Sequence, residues 1–192
     1  MAEYMVVSDI GDWILKNLRS KLCPEPLLNP QAIEFASPTD ENSDYTLGIF
    51  FYDLRENLDH VNTKLTPTED RKLRFPPHNL VIYYMLYINA AAQIGVKSLD
   101  AQKIITRTAQ VLFDLPTVDT GSFRGTTGQF NEIAKITESR LTFDEKTKIW
   151  STLNKPLQPA LYFEASPVFI ASEKIIGEPK VMKGTYNLSE TR

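Results

Sequence analysis

The sequence predicts an α+β fold: a mostly antiparallel or mixed central sheet, packed by an N-terminal helix and two further helices. The segment from Asn79 to Asn89 carries no charge and is apolar at both alternating sets of positions. This pattern is typical of a central strand that is covered on both faces. Residues 3–22 and 98–113 instead place apolar side chains three and four residues apart. Such spacing predicts amphipathic helices that could supply that cover.

The central strand is predicted from its composition as well as its alternation. Pro76 and Pro77 exclude a helix just before it. One face would carry Leu80, Ile82, Tyr84, Leu86 and Ile88, and the other Val81, Tyr83, Met85 and Tyr87. A buried helix is the alternative for so apolar a segment. The β-branched and aromatic residues favour a strand.

The N-terminal helix is predicted by a stripe of large apolar residues. These are Val6, Ile10, Trp13, Ile14, Leu18 and Leu22. Gly11 lies inside this helix, where glycine costs about 1 kcal/mol relative to alanine. We therefore expect another element to pack closely against Gly11. Prolines at positions 24, 26 and 30 end the helix.

Two strands are predicted between this helix and the central strand. Residues 32–36 form a short apolar strand, and residues 37–44 a polar turn. Three acidic residues in that turn could bind a cation, but their spacing fits no calcium loop and favours a solvated turn. Residues 46–56 form a second strand, which we expect beside residues 79–89 and antiparallel to them. Its two faces would carry Leu47, Ile49 and Phe51 against Phe50, Tyr52 and Leu54.

The connection formed by residues 57–74 is long and charged. A loop of this length within a compact domain is usually either functional or disordered. A binding arm and a disordered loop both remain open from the sequence.

The second half of the chain continues the mixed pattern. Residues 117–130 are predicted to be a loop, and its glycines lack the ending of a phosphate-binding loop. Residues 131–142 alternate as a half-exposed strand. Thr142 and Glu145 then form a capping box for a short helix that ends near Leu153, with Trp150 as its anchor in the core.

A last strand is predicted over residues 161–172, where Pro167 indicates a sheet edge or a bulge. The polar residues 173–192 show little pattern and predict an extended C-terminal arm. The sequence therefore predicts one domain over residues 1–172, followed by an arm over residues 173–192.

The bulk properties narrow the classes of function. The chain has 192 residues, a net charge of −3 and a pI near 5.5, which argues against a dominant nucleic-acid interface. Its single cysteine, Cys23, permits no internal disulfide bond and suits a reducing compartment. No apolar segment is long enough for a transmembrane helix. The N-terminus lacks the basic region and cleavage site of a secretion signal.

A search for catalytic chemistry finds no candidate set. His60 and His78 have no partner at the spacing of a metal site, and the carboxylates are scattered. Cys23 is more simply a small hydrophobic residue than a nucleophile. We therefore expect no enzyme activity, no cofactor and no metal.

Four blocks, taken together and in order, carry a family resemblance. They are VVSDIGDWILKNL (6–18), LGIFFYDLREN (47–57), FPPHNLVIYYMLYINA (75–90) and KIWSTLNKPLQPALYFEASPVFIAS (148–172). Their order and spacing resemble the cap, or tail-terminator, family of contractile injection systems, which are phage-tail-like particles that include contractile bacteriocins and toxin-delivery machines. The resemblance spans about residues 3–172.

This resemblance implies a structural protein that forms a homo-hexameric ring. The ring would close the baseplate-distal end of the inner tube, stop tube growth and anchor the last ring of the sheath. Its partners would be the inner tube protein and the sheath protein, without nucleic acid or membrane. The protein would be in the bacterial cytoplasm during assembly and then part of the particle.

Partner contacts are expected in the variable polar loops. The candidate contact residues are Arg55, Arg71, Arg74, Phe123 and Arg124. The alternatives are another tail-assembly component, such as a connector or tube-tip protein, and a small enzyme or ligand-binding module. Whether the particle is a bacteriocin or delivers a toxin stays open.

Overall fold

The structure, a computed structural model, describes residues 3–41, 44–60, 65–67, 72–92, 98–115, 117–119 and 133–177. The helices are α1 (Val6–Leu22), α2 (Ser98–Asp114) and α3 (Phe143–Thr152). The strands are β1 (Ile33–Phe35), β2 (Leu47–Glu56), β3 (Thr66–Pro67), β4 (Leu73–Arg74), β5 (His78–Ile88), β6 (Thr117–Asp119), β7 (Ile133–Glu138), β8 (Ala160–Ile170) and β9 (Ile175–Ile176).

Six of these strands form the main sheet, in the order β1-β2-β5-β8-β7-β6. Every neighbouring pair is antiparallel except β1 and β2, so the sheet is mixed, as predicted. The predicted antiparallel pairing of residues 46–56 with residues 79–89 is confirmed. Because β5 pairs with β2 on one side and β8 on the other, it is central.

Both faces of β5 are covered, as its composition predicts. One face of the sheet, here called the first face, packs against α1 and α2. Its core includes Ile10, Leu18, Ile104 and Leu112 from the helices, with Ile49, Ile82 and Leu86 from the strands. The opposite or second face packs against Trp150 of α3. A strand buried in this way needs no polar alternation, which explains its uninterrupted apolar run.

An aromatic cluster fills the second face beneath α3. Its buried rings are Tyr45, Tyr87, Trp150 and Tyr162, and they pack together with the buried Met85. The indole Nε1 of Trp150 donates to the Tyr162 hydroxyl at 2.9 Å, and the Tyr45 and Tyr87 hydroxyls share a hydrogen bond of 2.8 Å. Burial, followed by the bond to Tyr45, raises the pKa of Tyr87. The polar tips of these rings are therefore paired inside the core, which limits the cost of burying them.

A β-bulge at Tyr52 changes the direction of the side chains that follow it. Phe51 pairs with Tyr84 and Asp53 with Tyr83, so Tyr52 is the extra residue of β2. The sequence placed Leu54 with Phe50 and Tyr52, and this assignment is wrong. Leu54 pairs with Ile82 and therefore lies on the first face. Alternation alone cannot show a bulge, since one inserted residue reverses every later position.

A second bulge explains the proline inside β8. Leu80 pairs with Val168 and Ile82 with Ala165, so two residues of β8, one of them Pro167, face one residue of β5. The bulge predicted as one of two options is confirmed. The sheet-edge option is wrong, because β8 lies between β5 and β7.

Two segments predicted as loops contain short strands. Residues 117–119 form the edge strand β6, paired with β7. Residues 57–74 contain β3 and β4, which join β9 in a three-stranded sheet, order β3-β4-β9. These strands are two or three residues long, too short for a periodic signal.

Gly11 allows β1 to pack against α1. The predicted close neighbour is the ring of Phe35, which would lie 2.9 Å from a Cβ atom at this position. Arg19, two turns further along α1, donates from Nη2 to the Ile33 carbonyl at 2.8 Å. This bond occupies a backbone acceptor of β1, the outermost strand at this side of the sheet.

The capping box of α3 is present and gives a testable effect on stability. The Thr142 backbone N–H donates to the Glu145 carboxylate at 2.8 Å, and the Glu145 N–H donates to the Thr142 hydroxyl at 3.3 Å. Thr142→Ala removes this cap and should lower the free energy of unfolding by about 1 kcal/mol, measured by urea denaturation. Thr147→Ala is the control. Thr147 bonds to the Phe143 carbonyl inside the same helix. Alanine there should change stability by less than about 0.5 kcal/mol, and equal effects would contradict the assignment.

Candidate assembly surfaces

The three-stranded sheet continues the β5–β8 pair beyond the main sheet, and we call it the arm sheet. β4 precedes β5 by three residues, β9 follows β8 by four, and β4 pairs with β9 just as β5 pairs with β8. The Phe75 N–H donates to the Lys174 carbonyl at 3.1 Å, and the Lys174 ammonium lies 4.4 Å from the centre of the Phe75 ring. Two segments singled out by the sequence, residues 57–74 and the start of the C-terminal arm, therefore come together here.

Apolar side chains of the arm sheet are exposed to solvent. Ile175 and Ile176 are 46% and 41% exposed, and β9 is an outer strand of its sheet. Neighbouring apolar residues on the outer strand of a sheet are typical of a surface that pairs with another chain.

The predicted contact residues fall into three groups. Arg55 and Arg74 are placed by the structure on different sheets, whereas Arg71, Phe123 and Arg124 lie outside the described residues. Arg74 is half-buried on β4, and its Nε atom makes no hydrogen bond with the described residues. That these five residues together form a contact surface therefore stays a prediction.

Arg55 is an exposed residue near the end of β2. Its Nε donates to Asp53 Oδ2 at 2.6 Å, and its guanidinium lies 5.2 Å from the centre of the Tyr83 ring. Ion pairs this exposed contribute about 0–1 kcal/mol to stability. Arg55 can therefore exchange partners on contact with another protein at little cost.

The outer side of β2 is open over half its length. β1 pairs only with Leu47, Gly48 and Ile49, so no strand among the described residues lies beside the remainder. Phe51 and Leu54 are each 42% exposed along this open half. An uncovered edge that carries large apolar side chains favours the addition of a strand.

An apolar groove adjoins this open half on the first face. Its volume is about 410 Å³, and its lining is formed by α1 and the strands, with Tyr4, Val7, Ser8, Gly11, Asp12, Phe35, Phe51 and Tyr84. The groove lies between the first turns of α1, the end of β1 at Phe35, and the side chains of Phe51 and Tyr84. The sequence could not show it, because the point at which β1 ends decides which side chains stay uncovered.

The second face holds a larger, polar cleft beside α3. It measures about 760 Å³ and is lined by charges of both signs, including Asp53, Arg55, Arg140, Lys148 and Glu164. Burial raises the pKa of Glu164, and burial raises the pKa of Tyr52 to about 12. Both shifts follow from partial removal of water at the sheet surface.

Cys23, His78 and His60 complete the list of chemically reactive candidates. Cys23 is half-buried, and burial raises the pKa of its thiol, which opposes formation of a nucleophilic thiolate. His78 is exposed at the start of β5, and the side chain of His60 lies outside the described set. Among the described residues, no group of three or more histidine, cysteine or acidic side chains could hold a metal ion. The described helices include none that is long and apolar enough to cross a membrane.

Comparison with known proteins adds independent findings. One solved structure, the sheath/tube terminator of an extracellular contractile injection system called PVC, matches with a TM-score of 0.63 and 17% identity. The tube-terminating cap of the anti-feeding prophage matches with a TM-score of 0.57 and 14% identity. The matches cover 97% and 96% of this chain, which spans 64% and 61% of those two chains. No curated protein sequence matches.

The resemblance inferred from the four sequence blocks is confirmed by the family comparison. The family model described as the Pvc16 N-terminal domain matches residues 13–183, which include the main sheet and all three helices except the first turns of α1. This chain belongs to the Pvc16 N-terminal domain family.

Proposed function

We propose that this protein is a structural cap of a contractile injection particle. As a homo-hexameric ring, it would close the baseplate-distal end of the tube and sheath, end tube growth and anchor the last sheath ring. The observation that carries this proposal is the family match over residues 13–183. A fold shared with two terminator structures over nearly the whole chain supports it.

The physical task of such a cap is to satisfy a growing end without creating a new one. An open tube or sheath presents unpaired strand edges and apolar contacts, onto which further subunits add. A terminator must complement that surface on one side and offer no equivalent surface on the other. The open half of β2 and the exposed isoleucines of β9 are suited to contacts between neighbouring copies, which would hold together the ring that covers this surface.

The inner tube protein and the sheath protein are the partners in this proposal. Contacts with these partners would be made through the polar loops, with Arg55, Arg71, Arg74, Phe123 and Arg124 as the candidate contact residues. The division into a domain of residues 1–172 and an arm of residues 173–192 is part of the same proposal. Assembly would take place in the bacterial cytoplasm, before the particle is complete.

The cap would act by contact and without catalysis. Known terminators of the same fold support this non-enzymatic function. It needs only surfaces that are complementary in shape and hydrogen bonding, and it needs no cofactor.

Deletion of the gene tests the proposal directly. Cells that normally produce the particle should then make tubes and sheaths of irregular length, because nothing stops subunit addition at the distal end. Particle length is measured by electron microscopy. A plasmid-borne copy should restore one uniform length. Uniform particles without the protein would contradict the cap.

Localisation separates the cap from the alternatives. An epitope tag on the protein, detected with gold-labelled antibody, should mark the particle end opposite the baseplate. Averaged end views should show six copies. A label at the baseplate would favour a tube-tip or connector protein, and a label absent from particles would favour an enzyme or ligand-binding module.

A further inference from the structure

We propose that neighbouring copies of this chain join head to tail, with the outer edge of β9 in one copy lying along the open half of β2 in the next. This inference rests on the proposed ring and assigns its subunit interface. One of the two isoleucines of β9 would enter the groove beside α1. The contact would extend the arm sheet of one copy into the main sheet of its neighbour.

The backbone of β2 offers the hydrogen bonds that this contact needs. The Asn57 N–H donates to the Asn79 carbonyl across the β2–β5 pair. Backbone groups alternate in direction along a strand, so those of Leu54 and Glu56 are directed away from β5. The Leu54 N–H bonds locally to Asp53 Oδ1 at 2.9 Å. The Leu54 carbonyl and both backbone groups of Glu56 are therefore placed for pairing with a new strand.

The groove supplies the apolar half of the acceptor surface. A strand added beside Leu54 and Glu56 would lie in line with β1, further along β2 than Phe35, which pairs with Ile49. Its side chains on the first face would then meet the groove formed by α1, Phe35 and Phe51. Since Phe35 and Phe51 are 37% and 42% exposed, the added strand would remove apolar surface from water on both chains.

β9 is the matching donor within the described residues. One of its edges is used by β4, in the pairs Leu73–Ile176 and Arg74–Ile175. Its other edge borders no strand in the described part of the chain. Ile175 and Ile176 are both exposed and point to opposite sides of the strand, so one of them shares the face of the groove.

The positions of donor and acceptor argue for a second copy as the partner. β9 continues β8, which lies on one side of β5, whereas the open half of β2 lies on the other side of β5. A donor and an acceptor on opposite sides of one chain cannot pair as a symmetric dimer. They form heterologous contacts, which close into a ring when the rotation between copies allows it.

Engineered cysteines test this interface in assembled particles. In a Cys23→Ser background, Leu54→Cys is combined with Ile175→Cys in one variant and with Ile176→Cys in another. Adjacent strands bring Cα atoms about 5 Å apart, which suits a disulfide bond. After oxidation, a denaturing gel should show a ladder of this chain from dimer up to hexamer for the isoleucine position that shares the face of Leu54. The other position should cross-link much less.

Single variants provide the decisive control. Leu54→Cys, Ile175→Cys or Ile176→Cys alone can give at most a dimer, because a ladder needs both halves of a head-to-tail contact. Leu28→Cys combined with each isoleucine variant should give no ladder, although Leu28 is 89% exposed. Absence of a ladder from both double variants overturns the interface. Cross-links from Leu54→Cys to a sheath or tube protein would assign the acceptor to that partner and overturn it as well.

Particle length in the same cells keeps the two proposals apart. Uniform lengths without a ladder would leave the cap in place and reject this interface. Irregular lengths after gene deletion together with a ladder would support both. Uniform lengths after gene deletion would reject the cap, whatever the gel shows.

Discussion

Replacing Trp150 with alanine should lower the free energy of unfolding by about 3–5 kcal/mol, the usual cost of removing a buried tryptophan. Trp150 is 1% exposed and is the only fully buried residue of α3. Its indole packs edge-on against Tyr87 and donates to the Tyr162 hydroxyl. Alanine would therefore leave a cavity and also remove the hydrogen-bond donor of Tyr162. Denaturant unfolding followed by circular dichroism measures the change.

A conservative variant separates packing from hydrogen bonding. Trp150→Phe keeps most of the ring volume but loses the N–H donor, so it should cost about 1–3 kcal/mol. Ser151→Ala, at an exposed position of the same helix, should change stability by less than about 0.5 kcal/mol. If Trp150→Ala costs less than Trp150→Phe, α3 is not anchored as described.

The main elements were predictable because each one buries a long periodic surface. The 11 residues of β5 and the 17 residues of α1 repeat their pattern often enough to fix both type and partner layer. The Thr142–Glu145 capping box was equally readable, since it depends on residues three apart in sequence. The family resemblance followed from the order of these same blocks.

The candidate surfaces were less predictable, for two physical reasons. The arm sheet consists of strands that are two residues long. The pairing of such short strands depends on distant parts of the chain rather than on a local pattern. The groove depends on where β1 ends relative to β2, and the face on which Leu54 lies depends on the bulge at Tyr52. A bulge inserts one residue without any change in the types of residue along the strand. The alternation therefore assigns Leu54 to the wrong face.

Gly48 shows how closely the second face is packed. It is buried in β2 opposite Tyr87, and a Cβ atom at this position would overlap the Tyr87 ring. The ring cannot turn aside freely, because Tyr87 is 2% exposed, bonds to Tyr45 and packs against Trp150. Glycine here is therefore required by the space available to the ring and not by a special backbone conformation.

Gly48→Ala should accordingly destabilise the fold by about 3 kcal/mol or more, at the upper end of overpacking effects. Gly11→Ala is the matched control. Its nearest neighbour, the Phe35 ring, is 37% exposed and can shift. Alanine also gains about 1 kcal/mol of helix propensity at that position, so the net change should stay within about 1 kcal/mol.

The cause of the Gly48 effect can be isolated by a double-mutant cycle with Tyr87→Leu, which shortens the side chain that the new methyl group would meet. The cost of Gly48→Ala should fall by at least about 1 kcal/mol in the Tyr87→Leu background, because the overlap is shared by these two positions. The free energy of unfolding of all four proteins is compared through their denaturant midpoints, provided that the m-values are unchanged. Additive costs would mean that Gly48 is constrained by its own backbone. Coupled costs would mean that the residue size tolerated on β2 is fixed by the aromatic cluster under α3, and hence that the helix and the β2–β5 pair fold as one packed unit.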